Sequence, residues 1–174
     1  MNPEATKSAA AEVTRFGLLF ALAVTLSFLE SLVPLPFPVP GIKLGLSNIV
    51  VMYCLFVIGP AQGLLLSCLK SVFVLLIRGL TGALISLCGG LLSVAVMIIV
   101  RRIFKDERYT ISSVGGAVSH NIGQIACAAL LLGGIAPLIP FIPVLTASGV
   151  AVGIVTASLL RVLMPALKKI TISR

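Results

Sequence analysis

Apolar runs of membrane length, broken by short polar or proline- and glycine-rich segments, set the pattern of this chain. They predict six helical spans at about 14–33, 44–58, 61–77, 82–100, 111–132 and 141–163, since crossing a ~30 Å hydrocarbon core takes ~20 apolar residues. A polar tail over 1–13 precedes them and a basic tail over 165–174 follows. The reading is an all-α integral membrane protein, a six-transmembrane-helix bundle with no room for a further soluble domain.

Polar residues inside these runs carry the chemical interest. Glu30 ends the first span, Asn48 lies one turn into the second, and Lys70 sits at the centre of the third with Arg78 at its far end. The fifth span holds Ser119-His120-Asn121-Ile122-Gly123-Gln124, where His120 and Gln124, one turn apart, share a face with Asn121 beside it. A lysine at mid-membrane costs roughly 3 kcal/mol on insertion scales, so Lys70 should face a partner, the bundle interior or water. Small residues punctuate the same runs. Gly17, Ala21 and Thr25 recur every fourth position and form one helical stripe, with Glu30 roughly 180° from Ala21. Gly89-Gly90 and the Gly149/Gly153 pair permit close helix packing elsewhere.

The stretch from Glu30 to Asn48, ESLVPLPFPVPGIKLGLSN, is too rich in proline to be helical. Pro34, Pro36, Pro38 and Pro40 favour a stiff extended run, and Gly41 and Gly45 supply the freedom for a return into the next span. With Glu30 before the prolines and Lys43 after them, this loop is suited to covering a pocket as a lid.

Composition agrees with the pattern: 59% of residues are hydrophobic and 10% charged, with a mean hydropathy of +1.19. Roughly a quarter would be charged in a soluble domain. The net charge of +8 reads as topology rather than nucleic-acid binding. With the N-terminus inside, six spans put Lys7, Arg15, Arg101, Arg102, Lys105, Arg108, Arg161, Lys168, Lys169 and Arg174 on the cytoplasmic side, 10 of the 13 basic residues. The proline loop, Arg78 and the turn at Gly133 to Pro140 then lie outside, so Glu30, Lys43, Asn48, Lys70, Arg78, His120, Asn121 and Gln124 are candidates to line one outward-facing pocket. Their charges leave an excess of positive, which suits an anionic solute.

Several classes are excluded. The cysteines Cys54, Cys68, Cys88 and Cys127 lie in apolar runs without metal-ligand spacing, and neither a metal nor a cofactor is expected. No P-loop or dinucleotide fingerprint occurs. The single aspartate, Asp106, cannot supply the paired aspartate-rich magnesium site of a prenyl diphosphate synthase, so the chain is not expected to be an enzyme.

Glu30-Ser31 through Pro34, Pro38-Val39-Pro40-Gly41-Ile42-Lys43-Leu44-Gly45-Leu46-Ser47-Asn48, Gly89-Gly90 and Ser119 to Gln124 together resemble the bacterial Gx transporter family. Its members carry the label heptaprenyl diphosphate synthase component I. That family is in turn similar to the S components of energy-coupling factor (ECF) transporters. The resemblance implies six helices, both termini inside, and an external substrate pocket closed by the loop after the first helix. It also implies docking on a membrane T component, energised by cytoplasmic ATPases, through an Ala-xxx-Ala pattern on the first helix. Here Gly17, Ala21 and Thr25 stand in its place.

Three functions follow as alternatives. The leading one is a substrate-binding subunit of an ECF-type uptake transporter in the bacterial plasma membrane. The second is a non-catalytic membrane subunit of a heptaprenyl diphosphate synthase, contacting its partner through the Arg101 to Tyr109 loop or the basic tail. The third is a proton-coupled transporter titrating Glu30 and His120, which the absence of a visible inverted repeat disfavours.

Overall fold

The computed structural model describes residues 3–32, 46–104 and 109–172, with side chains placed over 10–32, 46–104 and 109–162. The proline loop over 33–45, including Lys43, and residues 105–108 of the charged loop lie outside the described residues, as do the side chains of the basic tail. The lid assigned to that loop lies outside them with it.

Five α-helices carry the chain: α1 (Pro3–Leu32), α2 (Asn48–Val57), α3 (Pro60–Phe104), α4 (Tyr109–Leu132) and α5 (Ile142–Ile172), with a 3-10 helix, Ala136–Phe141, before the last. No strand occurs among the described residues. Four stretches are long and apolar enough to cross a membrane: Ala10–Leu32, Pro60–Phe104, Tyr109–Leu132 and Ala136–Val162. α2 has only 10 residues, or about 15 Å, half a hydrocarbon core. The described residues thus form an all-helical, multi-pass type of membrane protein, with five helices where six spans were expected.

The difference lies in α3. Its 45 residues would reach about 68 Å if straight, more than twice the hydrocarbon thickness. The helix is broken at Gly79, where φ is 71° and ψ −172°, a left-handed conformation that glycine adopts without a Cβ penalty. The arms over 60–78 and 80–104 run back along each other. Ser71 Oγ and Ser86 Oγ lie 3.4 Å apart, and a Cβ built on Gly82 would lie 3.5 Å from Val74 Cγ1. A single residue replaces the loop expected between the third and fourth spans.

Helix ends also differ from expectation. The tail over 1–13 is helical from Pro3 onward, since proline is tolerated at a first helical position and Ala9, Ala10, Ala11 and Glu12 are strong helix formers. α5 likewise continues through the basic tail to Ile172. The turn after α4 forms as its Gly-Gly pair suggests. Gly133 takes φ 73°, and the Gly134 N–H donates to the Ala129 carbonyl at 2.8 Å, closing the helix end.

α4 packs on both α3 and α5, and glycines set the closeness of both contacts. A Cβ on Gly123 would lie 2.8 Å from the Cys88 carbonyl oxygen, and one on Gly153 2.6 Å from Val114 Cα. Without those carbons the backbones approach directly. α1 instead packs on α2 and α3 at the margin. Gly17, Ala21 and Thr25 are all exposed, with no atom within 4 Å of a Cβ built on Gly17.

Two apolar clusters bracket a polar layer. Along the second arm of α3, Ile85 belongs to a cluster with Ile125, Leu138 and Leu145, while Val94 and Met97 belong to one with Met52, Leu55 and Leu66. Between them the same arm buries Ser86, Gly89, Gly90 and Ser93.

Candidate functional site

Lys70 is the organising charge. Ten residues into α3, it lies about 15 Å along the helix, near the depth of a bilayer midplane, and it is 2% exposed. Its ammonium donates to Asn48 Oδ1 at 3.1 Å and to Ser47 Oγ at 3.2 Å. Both partners sit at the start of α2, where Ser47 is the N-cap residue and makes no side-chain cap bond. Its hydroxyl serves Lys70 instead. Ser47 escaped the sequence reading, although a serine directly before an apolar run is a helix-start signal.

Glu30 arrives from α1. It is 2% exposed, and its Oε1 accepts the Leu46 N–H at 3.4 Å, next to Ser47. Its carboxylate acts electrostatically on both Lys70 and Arg78. Arg78 is half-buried and, with Ser27, Ser31, Phe73, Val74 and Ile77, borders a crevice between α1 and the first arm of α3 that is too narrow to admit a water molecule. One carboxylate therefore faces two cations and the positive end of the α2 dipole. This cluster has an electrostatic deficit of negative charge, and burial magnifies it because little water is present to screen it.

The fifth predicted span divides its polar residues between two neighbours. Gln124 Nε2 lies 3.1 Å from His120 Nε2. The amide nitrogen is a donor, so the ring nitrogen is the acceptor of this pair. Both residues pack on Gly89 of α3, where a Cβ would lie 2.8 Å from the His120 carbonyl oxygen. Asn121 turns the other way, and its Nδ2 donates to the Leu145 carbonyl of α5 at 2.6 Å. Of the eight predicted pocket residues, the structure brings Glu30, Asn48, Lys70 and Arg78 into one group and places His120, Asn121 and Gln124 in the helix contacts of α4. Lys43 lies outside the described residues.

Arg101 has a role that its reading as a topological charge missed. Its Nη1 donates to the Leu55 carbonyl at 2.8 Å, satisfying a carbonyl near the end of α2. Its guanidinium lies 5.4 Å from the Phe56 ring centroid, and Phe56 meets Tyr109 edge-on at 5.2 Å. α2 is thus held at its start by Lys70 and at its end by Arg101, both from α3.

A larger recess of about 470 Å³ opens elsewhere, between the outer turns of α1 and the α2–α3 connection, lined by Glu12, Arg15, Phe16, Val57, Ile58, Gln62 and Leu65. Its charged residues Glu12 and Arg15 are exposed, as expected where a helix leaves the membrane. The buried chemistry lies at Lys70. Among the described residues no group of three or more His, Cys, Asp or Glu gathers as for a metal.

No curated protein and no solved structure is matched by this chain. The family model described as heptaprenyl diphosphate synthase component I matches residues 19–163, a stretch that includes Glu30, Lys70, the Gly79 turn and the polar run of α4. By that match the chain belongs to the heptaprenyl diphosphate synthase component I family.

Proposed function

We propose that this protein is a membrane solute-binding subunit, resembling the S components of ECF transporters, that captures an anionic solute from the external side. The observation that carries the reading is the buried Lys70 ammonium at the N-terminal end of α2, with Arg78 nearby and Glu30 as its neighbouring carboxylate. A lysine at that depth is expensive, and intramembrane ionisable residues commonly mark substrate sites. An anion at the start of α2 would meet the helix dipole and both cations together.

In this reading α1, α2, the two arms of α3, α4 and α5 make six crossings, which leave both termini in the cytoplasm. The positive-inside distribution supports that orientation. The proline loop is the lid, and the exposed Gly17, Ala21 and Thr25 face is where a membrane T component, served by cytoplasmic ATPases, would dock. The Thr25 hydroxyl bonds the Ala21 carbonyl at 2.8 Å, leaving that face without an unmet polar group. The chain itself is not catalytic, since its one aspartate, Asp106, provides no magnesium-binding pair.

The second reading, a non-catalytic membrane subunit of a heptaprenyl diphosphate synthase, is favoured by the description of the family itself. Native mass spectrometry separates them. Protein released from its own membranes should carry a small anionic adduct that is lost in Lys70→Met. An adduct-free wild-type protein, or one whose adduct is unchanged by Lys70→Met, contradicts the solute reading.

A further inference from the structure

We propose that a single water molecule is built into the bundle below the Lys70 site, in a cavity shared by α2, α3, α4 and α5. Asn48 and Met52 of α2, Ser93 of α3, Ser113 of α4 and Thr156 of α5 are among the residues that line it. The space open to the centre of a water-sized molecule is about 10 Å³, roughly what one water requires.

Two independent groups point to an occupant. Asn48 is 7% exposed and Ser93 1%, and neither Asn48 Nδ2 nor Ser93 Oγ has a hydrogen-bond partner among the described residues. The Asn48 carboxamide cannot resolve this by turning over, because Oδ1 is committed to the Lys70 ammonium at 3.1 Å. Its NH2 group must therefore face the cavity as a donor and needs an acceptor there. A third group sets the geometry. The Thr156 hydroxyl donates to the Val152 carbonyl at 2.7 Å, which leaves its oxygen free to accept.

A water meets these demands with one oxygen and two hydrogens. Its oxygen accepts from Asn48 Nδ2, and its hydrogens serve hydroxyl oxygens such as those of Ser93 and Thr156. A metal cation does not fit beside an amide donor and the Lys70 ammonium. An apolar filler would leave both buried groups unmet. The occupant thus extends the chain of bonds from Lys70 through Asn48 into the second arm of α3.

The test has a sign that separates a wet cavity from a dry one. If the water is present, Ser93→Ala removes one of its partners, and the melting temperature of the full-length protein in detergent falls by about 2–4 °C. If the cavity is dry, the same substitution deletes an unmet buried hydroxyl and the melting temperature holds or rises, which overturns the proposal. Should Ser93→Ala fail to fold, a high-resolution structure of the wild-type protein decides. A density peak within about 3 Å of both Asn48 Nδ2 and Ser93 Oγ is expected. Empty density, or a peak that gains anomalous signal after bromide exchange and is therefore a halide, overturns it.

Discussion

The Lys70 ammonium donates to the Asn48 carboxamide oxygen across 3.1 Å, joining the middle of the first arm of α3 to the first residue of α2. That contact places a cation at the positive end of a helix dipole, an arrangement with no evident value for stability. Replacing a buried ion pair as a whole with neutral groups is often neutral or stabilising, whereas removing one partner strands the other. Glu30→Gln/Lys70→Met should therefore still fold as a monodisperse bundle while losing solute affinity by about tenfold to a hundredfold, the usual worth of one hydrogen bond to a charge. Size-exclusion profile and ligand binding, measured on the same preparation, check both halves.

Gly79→Ala tests the turn that folds α3 on itself. At φ 71° and ψ −172°, a combination open essentially to glycine alone, any L side chain costs about 1–3 kcal/mol, asparagine included, since asparagine tolerates only the αL well at positive ψ. Gly79→Asn and Gly79→Ala should therefore both melt below wild type, by similar amounts. Since a Cβ at Gly79 meets nothing within 4 Å, the loss would come from backbone conformation and not from a clash.

Gly123 and Gly17 should respond oppositely to alanine. At Gly123 the new carbon would sit 2.8 Å from the Cys88 carbonyl oxygen, so α3 and α4 must move apart at a cost of about 1–3 kcal/mol. At Gly17 nothing lies within 4 Å, and alanine should raise stability by up to about 1 kcal/mol. Thermal unfolding of both variants in one detergent makes the comparison.

Arg101→Met removes both the 2.8 Å bond to the Leu55 carbonyl and the contact with Phe56. A loss of about 1–3 kcal/mol is expected, with hydrogen exchange accelerating first in the last turn of α2. Uniform acceleration along the whole chain would show that Arg101 supports the bundle generally and does not fasten that helix end.

What the sequence made legible followed from contrast. Lys70 stands out because a single charge in an apolar run has few structural excuses, and Asn48 because it interrupts the start of another. Ser47 gave a weaker signal, since serine hydroxyls in membrane helices usually bond a carbonyl of the preceding turn, as Ser71 does to Ser67 at 3.1 Å. His120, Asn121 and Gln124 looked like one cluster by adjacency, but a helix turns roughly 100° per residue. Positions 120 and 124 therefore face α3 while 121 faces α5. The break between the third and fourth spans was legible, because Arg78, Gly79, Thr81 and Gly82 interrupt the apolar runs there. What the sequence did not show is that Gly79 alone makes the turn, since its backbone angles leave no compositional mark.

The central claim is that this chain is the solute-binding part of an uptake system, and its partners test it most directly. The tagged protein should be purified in mild detergent from its native membranes and the chains that accompany it identified. The account predicts a membrane T component and ATPase subunits, both lost when Ala21→Leu fills the small-residue face of α1. Recovery of a soluble prenyl diphosphate synthase with no ATPase, unaffected by Ala21→Leu, would contradict it.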